Sequence, residues 1–492
     1  MSDTETTHLV ADPQHIAVVG GGMAGLLAAL MLARDGHHVA VFERDDTDVP
    51  DSADCAFDGW NRSGAPHARQ SHAILARLRQ ILRRRAPDVL DALIEQGATE
   101  LGVEQILPPD IADRASRPGD DELALLCCRR LTIEWVLRRA VTAESRVEWR
   151  GGVGVAGLVA DGTDVRGLLL DDGSTVDADL VVAGGGRNSP VLEWIADLGG
   201  SVQPTEEQSE AGIIYLSRFY RLREGRELPL LTKEGAGGDL GYLAFAGFYG
   251  DNRTFSITFG VPTGDRELLA LRDEDAWEAV IRTLRPLAPW TQPDLADPIT
   301  GVESMARLRN RIRRLVVDGS PVVTGLVVIG DAAVATNPWY GKGCSLAGIA
   351  ADALSNALAE HGRDRVAIAL AMDEATTAEL EPHYHAAVAQ DADRMKLHAA
   401  QHEGREPDAV AAATRDFILN GLLPASRSDP DVFRRFFRSF NMLDAPDALL
   451  SDPVVLQAAS AAHATKDERP PAPELGPPRD ELLAVMAAAA GA

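Results

Sequence analysis

The segment of residues 16–43 constrains the fold of this chain more strongly than any other. It begins with the β-branched run Ile-Ala-Val-Val, which is typical of a strand that is buried on both faces. The apolar stretch Met23–Arg34 predicts a helix that stops at Gly36, a residue suited to a helix C-terminus. A second short apolar run at residues 38–42 leads into Glu43. The segment therefore predicts a strand–helix–strand unit.

Three glycines join the first strand to the helix with the spacing Gly-x-Gly-x-x-Gly. Gly20 permits the tight turn, Gly22 lets the backbone approach a pyrophosphate, and Gly25 lets the helix lie close against the strand. Met23 and Ala24 lie at the helix N-terminus, where unpaired N–H groups and a partial positive charge favour a phosphate. The pattern predicts a dinucleotide-binding site that contains these five residues.

The acidic residue at the end of the second strand fits the same site. Glu43 follows Gly25 by about 20 residues, the distance at which a carboxylate reaches an adenosine ribose hydroxyl. We include the neighbouring Arg44 among the residues that contact the cofactor. The alternative is a glycine-rich turn in an ordinary strand–helix–strand unit with nothing bound. Phosphate binding alone also does not distinguish NAD from FAD.

A second glycine-rich turn lies in the C-terminal half of the chain. Strand-like residues lead into Gly330 and Asp331, and a carboxylate at a strand end can hydrogen-bond a polyol chain. Gly341 and Gly343 present no side chain where a planar ring could press against the backbone. The helix predicted at residues 346–360 would direct its positive N-terminal end at that ring. A reduced, anionic flavin gains most from this arrangement, so the pattern favours FAD.

Two further residues, Pro338 and Cys344, belong to the predicted cofactor site at this turn. The alternative is an unliganded glycine-rich turn before a helix, which must also account for Asp331 and Pro338. Taken together, the two turns predict that opposite ends of one FAD molecule are held between them.

The composition of the 492-residue chain limits its partners and its location. The length implies two or three subdomains. A formal net charge of −26 disfavours nucleic acid and anionic membranes as partners, because both repel such a field. No stretch of about 20 apolar residues appears, so we predict no membrane span. Four cysteines without metal-ligand spacing, and no basic signal-peptide start, favour a cytoplasmic protein without a metal site.

The central region predicts a second kind of sheet. Residues 212–262 contain three alternating segments rich in aromatic residues, with a hairpin tip at Asp251 and Asn252. We therefore predict an α/β fold, in which a Rossmann-like FAD-binding domain carries an inserted antiparallel-sheet substrate domain and a C-terminal helical region. The predicted parts are an FAD-binding domain at 1–200 (with a loop and helix insertion at about 45–120) and 301–370, a substrate domain at 201–300, and helices at 371–492.

These motifs resemble those of the flavoprotein monooxygenase superfamily, which has the aromatic-hydroxylase, glutathione-reductase-like fold. The first glycine turn with Glu43 matches its first FAD motif. Gly330 and Asp331 match its Gly-Asp motif, whose Asp contacts the ribityl chain. Arg130, ahead of a predicted helix, looks like the FAD-contacting Arg of the family. The resemblance is closest to the polyether epoxidases of the monensin and lasalocid type.

Those epoxidases share two patterns with this chain. The first, Pro-x-x-Arg-x-x-His-Ala, is matched by Pro66, Arg69, His72 and Ala73. The second, Gly-Asp-Ala-x-x-x-x-Asn-Pro-x-Tyr-Gly-x-Gly, is matched by residues 330–343. The resemblance implies that some side chains in these patterns line the face of the flavin, although none is assigned as a catalytic acid or base. The candidates are Arg69, His72, Trp339 and Tyr340.

The chain departs from the aromatic hydroxylases at the end of a strand predicted at residues 176–183. Aromatic hydroxylases carry an Asp-Gly pair there that is implicated in FAD and NADPH interactions. The matching pair is Gly185 and Gly186, so the carboxylate is absent and a separate flavin reductase becomes an alternative electron source. Flavin-dependent halogenation is disfavoured, because the Trp-x-Trp-x-Ile-Pro signature is missing and the first 200 residues contain no lysine.

The resemblance implies an FAD-dependent monooxygenase. NAD(P)H would reduce the flavin, directly or through that reductase, and O₂ would form a C4a-hydroperoxide that transfers oxygen to an alkene or electron-rich ring. The implied substrate is a small apolar natural product, which becomes epoxidised or hydroxylated. Two alternatives stay open: an FAD-dependent reductase or dehydrogenase of the prenyl-reductase type, and a non-catalytic protein that uses the fold for binding.

Overall fold

A five-stranded parallel sheet lies behind the first glycine turn in the computed structural model, which describes residues 12–65, 67–229, 235–402, 404–406, 408–470 and 473–490. In spatial order the strands are Leu326–Val328, Leu180–Ala183, His15–Val19, His38–Glu43 and Val147–Gly151. All neighbouring pairs are parallel, so the five strands end at the same edge. The first strand is buried on both faces: Ile16 and Val18 face the helix Met23–Arg34, whereas Ala17 and Val19 face a three-stranded sheet.

The helix of the first glycine turn spans Met23–Arg34, as its sequence predicts. Every residue in it except Arg34 is buried. It is covered because it contacts two other helices, Arg130–Ala143 and Gly343–His361, in addition to the sheet. Segments that are far apart in sequence therefore meet at this helix.

A six-stranded antiparallel sheet forms the second large unit. Its strands are Gly237–Asp239, Ala244–Tyr249, Thr254–Pro262, Ile213–Leu222 and Ala296–Pro298, with Glu303–Met305 also paired to Ile213–Leu222. The helices Glu274–Ile281 and Arg479–Ala490 cover one face, against which Trp277 is buried. The opposite face presents Tyr215 and Ser217 to the loops that follow the parallel strands, where they bind other side chains.

The remaining described elements are short sheets and helices around these two units. The strands are Thr205–Glu210, Arg309–Arg314 and Val334–Ala335 in one sheet, Val155–Asp161, Asp164–Leu170 and Thr175–Asp177 in another, and the pairs Thr99–Leu101 with Leu125–Cys127 and Val316–Val317 with Ser320–Pro321. The α-helices are Ala53–Gly59, Ala76–Arg85, Pro87–Glu95, Val103–Ile106, Val191–Asp197, Arg365–Ala375, Glu381–His402, Ala409–Phe417, Leu423–Ser428, Pro430–Phe440, Ala448–Ser451 and Pro453–Ala464. Across the described ranges, no helix is both long and apolar enough to span a bilayer.

The segment at residues 176–183 differs from its prediction. It forms two strands, Thr175–Asp177 and Leu180–Ala183, which belong to different sheets. The switch occurs at Asp179, whose N–H donates to the carbonyl of His15 and whose carboxylate accepts the N–H of His15. This contact starts the parallel pairing, and the apolar run alone does not reveal it.

The helix predicted at residues 346–360 begins earlier, since it spans Gly343–His361. The N–H of Leu346 already donates to the carbonyl of Lys342, which closes the first helical turn. Cys344 therefore lies inside a helix N-terminus and not in a preceding loop. The second glycine turn, like the first, leads directly into a helix.

Candidate cofactor site

The two glycine turns, which are distant in sequence, lie against each other. The strands that precede them, His15–Val19 and Leu326–Val328, both flank Leu180–Ala183 and end at the same edge. Gly330 has a φ of +61°, and a Cβ built on it would lie 2.5 Å from the Cβ of Ala24. Neither the conformation nor the space admits a side chain there, so this glycine allows the two turns to touch.

Within the first turn, the three glycines have different surroundings. Gly20 has a φ of +99°, and a Cβ on it would lie 2.8 Å from the carbonyl oxygen of Gly184. A Cβ on Gly25 would lie only 1.8 Å from the carbonyl oxygen of Gly20. By contrast, no protein atom lies within 4 Å of a Cβ built on Gly22, at the N-terminus of the helix Met23–Arg34. Packing requires Gly20 and Gly25, whereas Gly22 borders the open space that a pyrophosphate needs.

The predicted ribose ligand hydrogen-bonds to the glycine turn itself. Glu43 is buried, and its Oε2 accepts the N–H of Gly21 at 2.8 Å. Its Oε1 accepts the N–H of Asp45 at 3.0 Å. The neighbouring Arg44 is exposed and lies beside Gly64. Glu43 is therefore held next to the phosphate end of the turn, and its contact with a ribose stays a prediction.

A chain of buried charged side chains connects the two turns. The Arg62 guanidinium lies 3.6 Å from Glu43 and 3.1 Å from Glu134. Glu134 also accepts a hydrogen bond from Arg130 at 2.8 Å, and Arg130 reaches the Cys344 Sγ at 3.8 Å. All five residues are less than 10% exposed. The predicted Arg130 and Cys344 are thus brought together, and the chain runs from Glu43 at one turn to the helix of the other.

Arg62 and Glu134 are not among the site residues predicted from the sequence. The sequence spacing could have indicated Glu134, because it follows Arg130 by four residues on the same helix and its side chain therefore lies on the same helix face. Burial opposes its charge, but attraction to Arg130 and Arg62 outweighs burial and lowers the pKa of Glu134. Both arginines thus face an ionised carboxylate at neutral pH. No sequence pattern indicates the contacts of Arg62, since it lies in an irregular loop.

Arg138 lies on the same helix face but is not neutralised. Burial, followed by repulsion from Arg62, lowers the pKa of Arg138 to about 9. Its guanidinium stacks over the ring of Trp149, which lies beside Gly21. Within the described ranges, neither the Arg138 Nε nor the Trp149 Nε1 has a hydrogen-bond partner, and attraction to Glu43 offsets only part of the lowering of the Arg138 pKa. An anionic ligand with acceptor atoms would satisfy both groups.

At the other turn, Asp331 and Ser345 are placed to receive a polyol. The Asp331 Oδ2 lies 3.3 Å from the Arg187 Nε, and its Oδ1 lies 3.9 Å from a Cβ built on Gly343. The Ser345 hydroxyl is fully buried in the first turn of the helix and lacks a partner among the described residues. Gly341 has a φ of +66°, which a side chain would strain. The unpartnered nitrogens of Arg138 and Trp149, the Ser345 hydroxyl and the Asp331 carboxylate fit the phosphates, ribose and ribityl chain of FAD.

The two histidines of the intervening loop are uncharged. Their rings lie 6.1 Å apart, and the His72 Nδ1 lies 2.8 Å from the carbonyl oxygen of Gln70. Burial and then repulsion from Arg130 lower the pKa of His67 to about 4 and that of His72 to about 3. Both imidazoles are therefore neutral at pH 7, next to Arg130.

The other members of the loop pattern are placed differently. The Arg69 guanidinium donates to the carbonyl of Asp58 at 2.8 Å and lies over the ring of Phe57. It thus anchors the loop to the helix Ala53–Gly59. Pro66 lies outside the described residues.

The two aromatic candidates, Trp339 and Tyr340, lie between the second glycine turn and the antiparallel sheet. The Trp339 ring stacks on Tyr215 with centroids 5.8 Å apart, and it lies 3.3 Å from a Cβ built on Gly260. Pro338 begins the short helical turn that carries this pair. The Tyr340 hydroxyl donates to Asp391 at 2.9 Å. Within the described ranges, no group of His, Cys, Asp or Glu side chains could hold a metal ion.

Comparison with known proteins supports this architecture. Residues 18–81 match the family model described as an NAD(P)-binding Rossmann-like domain. No curated protein sequence is significantly similar to the chain. Solved structures are similar across most of its length.

The p-nitrophenol 4-monooxygenase PnpA from Pseudomonas putida DLL-E4 is 17% identical, with a TM-score of 0.59, 88% of this chain covered and 98% of that one. A variant of PqsL from P. aeruginosa is 18% identical, with a TM-score of 0.55 and coverages of 79% and 98%. The OxyS anhydrotetracycline hydroxylase from Streptomyces rimosus is 16% identical, with a TM-score of 0.54 and coverages of 88% and 77%. At such identities the likeness establishes the fold. The predicted fold class is therefore confirmed: this chain has the fold of the flavin monooxygenases.

Proposed function

We propose that this protein is an FAD-dependent monooxygenase that adds one oxygen atom from O₂ to an alkene or electron-rich ring of a small apolar molecule. The observation that carries the proposal is the chain of buried side chains that runs from Glu43 through Arg62, Glu134 and Arg130 to Cys344 and so connects the two glycine turns. The similar solved structures include a monooxygenase and a hydroxylase, which supports the same reaction class.

The residues that would hold FAD follow from the two turns. The pyrophosphate would lie at Gly20, Gly22, Met23, Ala24 and Gly25, the adenosine at Glu43 and Arg44, and the ribityl chain and ring at Arg130, Gly330, Asp331, Pro338, Gly341, Gly343 and Cys344. When bound, FAD accepts electrons from NAD(P)H and activates O₂. Arg138 and Trp149 join the adenosine end, because their unpartnered nitrogens need acceptors.

The electron route is part of the proposal. No carboxylate occupies the Gly185 and Gly186 positions, and the next side chain, Arg187, turns toward Asp331. A separate flavin reductase that passes electrons from NAD(P)H is therefore proposed beside direct reduction. Assays with and without such a reductase distinguish the two routes.

The protein would orient the substrate against the flavin ring and exclude water from the site. On the face of the antiparallel sheet beside Trp339, the small residues Ala244 and Gly260 pair with each other, and the Trp339 ring packs over Gly260 together with Ile213. The N-terminus of the helix Gly343–His361 favours negative charge on the ring. The neutral His72 can form one further hydrogen bond through Nε2, because its Nδ1 already lies 2.8 Å from the Gln70 carbonyl oxygen. We propose that the sheet at 201–300 is the substrate domain, with FAD held by 1–200 and 301–370 and helices completing the chain at 371–492.

The test combines cofactor binding with isotope transfer. Purified protein is reconstituted with FAD and incubated with candidate apolar alkenes and aromatics, an NAD(P)H supply and ¹⁸O₂. One ¹⁸O atom in the product, detected by mass spectrometry, is expected. Turnover under nitrogen would identify a reductase or dehydrogenase instead. Failure to bind FAD at all would identify a non-catalytic binding protein.

Glu43→Gln is expected to weaken FAD binding by about ten- to a hundredfold. The reason is that one charge-assisted hydrogen bond is worth about 1.5–3 kcal/mol. The glutamine oxygen can still accept the N–H of Gly21, so the fold should survive. Fluorescence titration with FAD measures the effect, and Glu148→Gln on the next strand is the control because Glu148 is exposed. Equal affinities in the two variants would remove Glu43 from the ribose contact.

Asp331→Asn is expected to lower FAD affinity by a similar factor but to leave ADP affinity unchanged. ADP contains the adenosine and the diphosphate but lacks the ribityl chain that Asp331 would bind. Glu43→Gln should weaken both ligands, so the pair of variants separates the two ends of the site. Isothermal titration with FAD and with ADP gives the four affinities. Loss of ADP binding in Asp331→Asn would contradict the assigned orientation.

A further inference from the structure

A buried carboxylate of the C-terminal helices contacts the second glycine turn. Asp391 lies in the helix Glu381–His402 and is fully buried. Its Oδ1 accepts hydrogen bonds from the Asn337 side-chain amide at 2.7 Å and from the Tyr340 hydroxyl at 2.9 Å. Its Oδ2 accepts the Asn310 side-chain amide at 2.7 Å. The Asp391 side chain thus binds Asn337 and Tyr340, at the two ends of the turn that carries Trp339. It also binds Asn310 in the adjacent strand Arg309–Arg314.

These hydrogen bonds continue from Asn337 to Trp339. The Asn337 amide oxygen accepts the backbone N–H of Trp339 at 3.1 Å and the hydroxyl of Tyr215. The Tyr215 oxygen also accepts the N–H of Trp339 at 3.1 Å, below the stacked rings. Asn310 holds the backbone as well, because its amide oxygen accepts the N–H of Asn337 at 2.7 Å. The position of Trp339 is therefore set through Asn337.

The chemistry of the carboxylate suits this arrangement. Arg394 donates to the Asp391 Oδ1 at 2.6 Å, and it also donates to the carbonyl of Ala211 at 2.7 Å. This ion pair offsets the cost of burying the charge. A carboxylate only accepts, so two amides and one hydroxyl can all donate to it. An amide at position 391 would instead direct a donor at one of these donors.

We infer that Asp391 is a positioning residue for residues 337–340, which carry Trp339 and Tyr340, two of the candidates for lining the flavin face. It acts through Asn337 and Tyr340 and does not itself touch the cofactor. The inference rests on the proposed function, because Trp339 and Tyr340 face a flavin only when FAD occupies the second turn. It also assigns a role to the C-terminal helices, which sequence analysis left without one.

Hydrogen exchange tests the positioning without any cofactor. In Asp391→Asn, amides of the peptide at 336–343 are expected to exchange about tenfold faster, as the loss of a charge-assisted hydrogen bond implies. Asp393→Asn is the matched control, since Asp393 lies on the same helix, is 63% exposed and, among the described residues, forms a long ion pair with Lys396 at 3.6 Å. Unchanged exchange at 336–343 in Asp391→Asn would overturn the inference.

A double variant separates positioning from a general loss of stability. Asn337→Asp together with Asp391→Asn exchanges the acid and the amide, so that a donor again faces an acceptor across the same pair. Exchange at 336–343 is expected to return toward the wild-type rate. If Asp391→Asn fails to fold, Tyr340→Phe removes the hydroxyl that donates to Asp391 and that also contacts Arg394, and it should still accelerate exchange in this peptide. The inference would be contradicted if the double variant showed no recovery, or if Tyr340→Phe did not accelerate exchange in this peptide.

The fluorescence of bound flavin provides the second readout. Aromatic rings packed on a flavin quench its fluorescence, so FAD bound to Asp391→Asn should fluoresce severalfold more than FAD bound to wild type or Asp393→Asn. Wild-type protein that binds no FAD would refute the proposed function, while the exchange experiment would still decide the positioning role. A variant with lower thermal stability but unchanged flavin fluorescence and exchange would show that Asp391 is only structural.

Discussion

Replacing Asp251 with alanine is expected to reduce the free energy of unfolding by about 3–5 kcal/mol, because it leaves a buried arginine without its main partner. Asp251 is fully buried at the hairpin tip, and it accepts hydrogen bonds from the Arg129 N–H at 2.6 Å and from the Arg129 Nη2 at 2.6 Å. Thr132 donates to it at 2.8 Å. Burial opposes the charge of Arg129, but bonds to Asp251 and then Asp54 outweigh burial and raise the pKa of Arg129.

The same ion pair joins the antiparallel sheet to the cofactor site. Arg129 directly precedes Arg130, the first residue of the helix Arg130–Ala143. The same helix carries Glu134 and Arg138, which belong to the candidate cofactor site. Loss of Asp251 should therefore weaken FAD binding as well as stability. Denaturant unfolding followed by circular dichroism measures the first effect, and FAD titration measures the second.

Two comparisons make the measurement specific. Asp297→Ala removes an exposed partner of Arg223 in the same sheet and is expected to cost about 1 kcal/mol or less. The double variant Arg129→Met with Asp251→Leu removes both buried charges and should regain much of the lost stability. Equal midpoints for Asp251→Ala and Asp297→Ala would show that the buried pair contributes no more than a surface one.

Local sequence patterns predicted those features that depend on neighbouring residues. The helix Met23–Arg34 matches its predicted bounds, because glycines at both ends set where it starts and stops. The turn at Asp251 and Asn252 is also present, and Asn252 has the positive φ of 47° that such a hairpin requires. The strands His15–Val19 and His38–Glu43 are parallel neighbours, as expected for the predicted strand–helix–strand unit.

Partner choice across long stretches of sequence was not predictable in the same way. Nothing near Arg62 indicates that it binds Glu134, because the loop that carries it has no periodicity. Asp391 likewise appears in sequence as one acid among many on a polar helix, yet it is fully buried. In both cases the contact depends on how distant elements pack, and no local spacing encodes it.

Gly22→Ala is expected to lower FAD affinity by about ten- to a hundredfold while leaving the fold intact. Its φ of −85° is accessible to alanine, and no protein atom lies within 4 Å of the added Cβ. A bound pyrophosphate would approach this position, so the methyl group should displace it from one backbone N–H donor worth about 1.5–3 kcal/mol. The thermal unfolding temperature should stay within the error of wild type.

The two other substitutions to compare are Gly25→Ala and Gly264→Ala. In Gly25→Ala the new Cβ would lie 1.8 Å from the carbonyl oxygen of Gly20, so the strand–helix packing itself should fail and the protein should unfold at much lower temperature. Gly264, like Gly22, has no atom within 4 Å, but it lies beyond the antiparallel sheet, and its variant should bind FAD normally. Full FAD affinity in Gly22→Ala would mean that no phosphate approaches the first turn. The open space at Gly22 would then be a feature of packing alone. The first glycine turn could no longer be assigned to the pyrophosphate of FAD, and one cofactor could no longer be placed across both turns.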